Sequence, residues 1–163
     1  MFCSSGWLFS QAISSEGDAI FAMMKPLIGK QFKGSFPNSS VYDEQHFSTV
    51  YDGKFIRNIH FVKDETGKIL YEGETIFARD LQKGTVQFWY WNTTGGYVVG
   101  SLVLEGQRIM VTGKNTGPAN QTPEVKSSMW DISADGYVAS SYFLKDGNWE
   151  EQWTMQYKAS PKQ

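Results

Sequence analysis

Hydrophobic and polar positions change rhythm once along this chain. From Asp18 to Ile28 (DAIFAMMKPLI) apolar side chains recur at helical spacing, Asp18 stands as a cap and Pro26 limits the run, which predicts a short helix. Its Ile20, Phe21, Met24 and Leu27 would bury against a larger body, for instance as a lid or plug at one end of a barrel. From Gly29 onward the helical period is gone. Turn signals then arrive at fairly even spacing: Pro37-Asn38, Asp52-Gly53, Thr66-Gly67, Lys83-Gly84, Gly95-Gly96, Glu105-Gly106, Gly117-Pro118, Asp135-Gly136 and Asp146-Gly147. Between them lie about ten predicted strands joined mainly by tight hairpins. Their spans are 30–36, 41–51, 54–63, 68–79, 85–92, 97–104, 107–114, 124–132, 137–145 and 148–158. Asn115 to Pro123 is the one longer loop.

The most telling stretch is Thr85-Val-Gln-Phe-Trp-Tyr-Trp-Asn92, followed by Thr93-Thr94-Gly95-Gly96 and then Tyr97-Val-Val-Gly-Ser-Leu-Val-Leu104. Trp89 and Trp91 project from one face of the first run, and Val86, Phe88 and Tyr90 from the other. A strand apolar on both faces is sandwiched between layers or forms a wall with a packed interior and a partly covered exterior. Sequential hairpins make neighbouring strands antiparallel, and a long meander keeps two raw edges unless it closes on itself. The expected fold is therefore all-β: an antiparallel up-and-down barrel of about ten strands with a short N-terminal helix. Eight strands are just filled by their own side chains, so a wider barrel should leave a cavity. The competing architecture is a two-sheet sandwich with a dry core and no internal site.

Leu27-Ile-Gly-Lys-Gln-Phe-Lys-Gly34 resembles the amino-terminal signature of lipocalin-like (calycin) barrels, in which a Leu-rich turn leads into Gly-x-Trp and a following Gly. Phe32 stands in for the Trp, one residue later. The span from Leu27 to Lys158 also resembles the small bacterial lipocalin-like family of unknown function catalogued as DUF1579. Asp52-Gly-Lys-Phe-Ile56, Tyr71-Glu-Gly-Glu-Thr-Ile-Phe-Ala-Arg-Asp80, Phe88-Trp-Tyr-Trp91 and the closing Trp153-Thr-Met-Gln-Tyr-Lys158 carry the likeness. The resemblance implies a barrel with a central pocket and no established reaction, because fold and function are separable.

At 163 residues the chain suits one domain, 18–163, preceded by a tail, 1–17, that resembles the remnant of a signal peptide. The tail holds a short apolar run and small residues at Ser10 and Ala12, but no Lys or Arg. Export and cytoplasmic residence both stay open. A net charge of −2 removes the electrostatic reason to expect nucleic acid. No run of about 18 apolar residues exists, so no integral membrane segment is expected. Cys3 is the only cysteine, which excludes an intramolecular disulfide and a cysteine metal cluster.

Motifs for catalysis are missing: no Gly-x-Ser-x-Gly, no phosphate-binding Gly loop, no His-Glu-x-x-His and no Cys nucleophile placed with a His. His46 and His60 are the only histidines, and their spacing points to no metal. Both read as structural or solvent-facing. Nitrobindin-type barrels hold haem through a His near the carboxyl end, where this chain has none, so no cofactor is expected.

Alternation assigns the faces. On the strand 68–79, Glu72 and Glu74 should face water, which turns Tyr71, Gly73, Thr75, Phe77 and Arg79 inward. On the strand 54–63 the same logic turns Phe55, Arg57, Ile59 and Phe61 inward and leaves Asn58 and His60 outside. An inward Arg needs a partner, either a carboxylate at the barrel mouth or an anionic ligand head. The candidate ligand-binding residues are Phe55, Arg57, Tyr71, Phe77, Arg79, Trp89 and Trp91, with no catalytic or metal residue assigned. The expected function is non-catalytic binding of a small apolar or amphipathic ligand, in a carrier or sensor role. One alternative is a cofactor-independent isomerase or lyase acting on a lipid or phenolic acid in the same cavity. A second is an interaction protein with a solid core and an apolar patch outside. Oligomeric state is left open.

Overall fold

The computed structural model describes residues 15–117 and 124–160. Residues 1–14 of the expected tail, with Cys3, and residues 118–123 of the longer loop lie outside the described residues, whereas 15–17 begin the helix. The helix α1 (Glu16–Met24) runs into a 3-10 turn (Lys25–Leu27) and then ten strands follow. They are β1 (Lys30–Ser35), β2 (Tyr42–Val50), β3 (Phe55–Lys63), β4 (Ile69–Asp80), β5 (Thr85–Asn92), β6 (Tyr97–Glu105), β7 (Arg108–Asn115), β8 (Glu124–Trp130), β9 (Gly136–Lys145) and β10 (Asn148–Ala159). Each strand pairs antiparallel with its sequence neighbour, and β1 closes the ring against β10 through Phe32↔Ala159 and Lys33↔Lys158. Closure rules out the two-layer sandwich and leaves no free edge among these ten strands.

Turn chemistry explains why the boundaries were legible. At Asp146-Gly147, between β9 and β10, both residues have positive φ (51° and 81°), the backbone that a tight two-residue hairpin turn demands. No strand end departs by more than two residues from the sequence-based expectation.

The helix begins earlier than the pattern implied, because Ser15 rather than Asp18 is its cap. The Ser15 hydroxyl accepts from the Asp18 amide at 3.2 Å and donates to the Asp18 carboxylate at 2.9 Å, a reciprocal cap of the first turn. The helix docks on one end of the barrel. There the Gly17 amide donates to Gly84 O at 2.8 Å, and Glu16 Oε1 accepts from the Leu104 amide at 2.7 Å. Ile20, Met24 and Leu27 from this segment meet a floor that includes Ile56, Val86, Leu102 and Ile109, and all seven are buried. Full burial of each such side chain contributes about 1.5–3 kcal/mol, which makes this end a plug.

Among the described residues no helix is long and apolar enough to cross a membrane.

Candidate functional site

Beyond the plug the barrel interior holds a cavity of about 320 Å³. Strands β6 to β9 line it with Val98, Val111, Val125, Met129 and Ala139 together with Ser127, Ser128, Ser140 and Ser141, and β2 to β5 contribute Gln45, Asn58, Thr75 and Tyr90 beside Phe47, Phe77 and Phe88. Trp153 and Tyr157 of β10 complete the circuit. A bulge between Glu151 and Trp153 shifts β10 against β9, and beyond it Met155 and Tyr157 are buried.

The polar residues of β2 to β5 are wired together. Asp43 is 3% exposed and accepts from Tyr157 Oη at 2.7 Å, from Gln45 Nε2, and from the ring of His60, whose Nδ1 lies 3.0 Å from Asp43 Oδ1. A carboxyl oxygen that accepts there leaves the proton on Nδ1, so Nε2 is free to accept from the Tyr90 hydroxyl, 3.0 Å away. The hydroxyls of Tyr90 and Tyr71 are 2.5 Å apart. The result is a continuous chain, Tyr157–Asp43–His60–Tyr90–Tyr71, running up the inside of the wall. Gly73 makes room for it: a Cβ there would sit 2.5 Å from the Tyr90 ring and 2.7 Å from His60 Nε2. Burial, then the neighbouring Tyr71 and Asp43, pushes the Tyr90 hydroxyl far above the usual phenol range. Burial and then Asp43 raise Tyr157 and Tyr137 in the same direction. These phenols stay protonated, and Tyr157 acts as a neutral donor to Asp43.

Among the described residues two buried side-chain atoms have no hydrogen-bond partner, Thr85 Oγ1 and Asn58 Nδ2, and of these only Asn58 lines the cavity. Asn58 is 6% exposed and lines the cavity, yet its Nδ2 meets no acceptor among the described residues. An amide left unpaired in a buried place costs roughly 1–3 kcal/mol, so this N–H is a donor that whatever occupies the cavity can satisfy.

The residues put forward from sequence divide by face. Phe77 lines the cavity. Tyr71 is on the inner face as expected, hydrogen-bonded behind Tyr90. Arg79 reaches the helix end, where its Nη1 binds Asp18 Oδ1 at 2.8 Å and its guanidinium lies 4.9 Å from the Phe21 ring centre. That hydrogen bond, and then the one from Ser15, holds the Asp18 carboxyl below its usual range. Phe55, Arg57, Trp89 and Trp91 require correction, because they face outward. The cause is register. Ile56, Asn58 and His60 of β3 pair with Phe77, Thr75 and Gly73 of β4, and residues directly opposite share a face. Inward β4 residues therefore carry Asn58 and His60 inward with them and put Arg57 outside, where Glu74 grips it twice, at 2.8 and 3.0 Å. On β5 the pairing Phe77↔Phe88 turns Val86, Phe88 and Tyr90 inward, leaving Trp89 and Trp91 36% and 46% exposed.

His60, Asp43 and Asn58 are the residues that sequence reasoning missed. Polarity alone places His60 and Asn58 outside, and nothing in the local pattern marks Asp43. The available signal was Gly73, a residue without a side chain on a face already read as inward, which implies a bulky neighbour across the strand. His46, the other histidine, packs edge-on against Phe61. Among the described residues no group of three or more His, Cys, Asp or Glu side chains is arranged to hold a metal ion.

No family model matches this chain, and no curated protein matches it. Among solved structures it is similar to the crystal structure of Rv2717c from M. tuberculosis, with a TM-score of 0.58 and 14% sequence identity over 85% of this chain and 98% of that one. At that identity the likeness speaks for the barrel fold alone.

Proposed function

We propose that this protein binds one small, largely apolar molecule inside the barrel, as a carrier or sensor without catalysis, in the manner its lipocalin-like resemblance implies. The observation that carries the reading is a cavity of about 320 Å³ with a mainly apolar lining and a buried, unpaired Asn58 amide on its wall. At roughly 30 Å³ per water-sized group, that space suits a molecule of about ten heavy atoms. Phe77 then belongs to the contact surface, with Tyr71 acting behind Tyr90. The test is native mass spectrometry of the purified protein, before and after incubation with nine- to ten-carbon compounds. A 1:1 adduct that Ala139→Trp abolishes, in a variant that still folds, is the expected result. Absence of any adduct across the series would sink the proposal.

A second reading, a cofactor-independent isomerase or lyase, draws support from the Asp43–His60–Tyr90 chain, which brings titratable groups to the cavity wall. It requires proton abstraction from the guest. Exchange of a bound ketone's α-protons in D2O, present in the parent protein and lost in Tyr90→Phe, would favour it over simple binding.

A further inference from the structure

Resting on that binding role, we infer that the cavity selects a neutral molecule carrying a hydrogen-bond-accepting oxygen, of the ketone, aldehyde or ester class, and discriminates against carboxylates. The inference comes from where the cations are. A carboxylate taken into an apolar barrel loses its hydration and must be met by a positive group, or the cost of burial is prohibitive. None of the three arginines lines the cavity, Arg108 lying with its guanidinium 3.9 Å from the Trp130 ring centre. Arg57 lies on the outer face and both edges of its guanidinium are engaged by Glu74, while Arg79 is held at the helix end by Asp18. Lys126 borders the cavity, but its ammonium lies 5.6 Å from the ring centre of Tyr142 and 5.9 Å from that of Trp149. In the register Lys126 pairs with Thr112 and Tyr142, on the face opposite that of Val125, Ser127 and Met129, so its backbone borders the cavity while its ammonium rests beside those outer rings. His60 has both ring nitrogens committed, to Asp43 and to Tyr90.

What the interior does offer is neutral. Asn58 Nδ2 is a donor without an acceptor, and Asn58 stands between Phe47 and Thr75 in the register of β2, β3 and β4. A carbonyl oxygen accepts and does not donate, which complements an amide N–H. The remainder of such a guest would lie against the valines, Met129 and Ala139 of the opposite wall, beside Ser127 and Ser141, which are likewise uncharged. Among the described residues Asp43 is the acidic side chain of the interior network; it already accepts from three donors and adds a further reason for an anion to stay out.

The experiment compares three probes of matched size on lipid-stripped protein: 2-nonanone, nonanoate at pH 8, and propylbenzene, which has no acceptor. Calorimetry gives affinities, and the fluorescence of Trp153 in the cavity wall reports entry. We expect 2-nonanone to bind at least about tenfold more tightly than nonanoate, since both can accept from Asn58 but only the carboxylate must bury an unpaired charge, at a cost above the roughly 1.4 kcal/mol that tenfold represents. In Asn58→Leu the ketone should weaken by about tenfold while propylbenzene stays within about twofold. Its thermal midpoint should not fall, because the change removes an unpaired polar group. Nonanoate binding as tightly as the ketone, or an unchanged ketone affinity in Asn58→Leu, overturns the selectivity and leaves the binding role standing. If none of the three probes binds the parent protein, the binding role itself is overturned. The comparison among probes on the parent protein holds whether or not the variant folds.

Discussion

The two halves of the barrel interior are built on opposite principles. At the helix end Ile20, Met24, Leu27, Val86, Leu102 and Ile109 are fully buried and wholly apolar, so contact area alone holds them and many similar side chains would serve. In the other half the cavity wall from β2 to β5 places Asp43, Gln45, Asn58, His60, Tyr71 and Tyr90 on the same inner surface. Most of these are satisfied by one another, with Asn58 the exception. A plug tolerates change because burial has no direction. A hydrogen-bonded wall does not, since removing one member leaves its neighbours unpaired in a poorly hydrated place. The contrast separates a stabilising end from a discriminating one.

The largest test of that contrast is Asp43→Ala, which strips the acceptor from Tyr157, Gln45 and His60 together. We expect a loss of about 3–5 kcal/mol by urea denaturation. In the dry half Leu102→Ala should cost about 2–4 kcal/mol through lost burial and a residual void, without altering affinity for any guest. If Asp43→Ala proves milder than Leu102→Ala, the wired wall is not the more demanding half.

Alkaline pH sharpens the comparison further. The phenols of Tyr137 and Tyr157 ionise at higher pH in the fold than their ordinary value of 10.0, so above that pH the unfolded chain loses protons that the fold retains. Their contribution is complete below pH 10 and declines as pH rises toward their folded values. Each should add a slope of about −1.4 kcal/mol per pH unit to stability above pH 10. Tyr157→Phe should remove one such slope in denaturation curves taken between about pH 10 and 11. An identical slope in the variant would show that Tyr157 ionises in the fold as freely as in water.

The smallest effect is expected outside. Arg57 and Glu74 are each more than a third exposed, and such surface pairs are worth about 0–1 kcal/mol. Arg57→Ala should shift stability within that range and leave 2-nonanone binding unchanged. A large fall in affinity would restore the inward Arg that the register rules out.

Much of the architecture was legible in the chain. Evenly spaced turn residues such as Asp146-Gly147 marked the hairpins, and the raw edges of a meander made closure the economical solution. Face assignment on β4 was also legible, because Glu72 and Glu74 weigh heavily toward water. On β3 it was not: Arg57 on one face and Asn58 with His60 on the other gave polarity no clear vote. On β5 both faces were aromatic, so Trp89 and Trp91 looked as suitable for the interior as Phe88 and Tyr90.

By itself, then, the sequence determined the strands, their order and the need for a closed wall, because those follow from local backbone preference and from neighbouring hairpins. Which face looks inward is set by cross-strand register, and a slip of one residue exchanges every side chain between core and solvent. Only the tertiary structure decided that. It brought Asp43 to His60, 17 residues apart, and Tyr157 to Asp43, 114 apart, where the barrel closes. No local pattern encodes such meetings, since they depend on how the whole ring of strands comes back to its beginning.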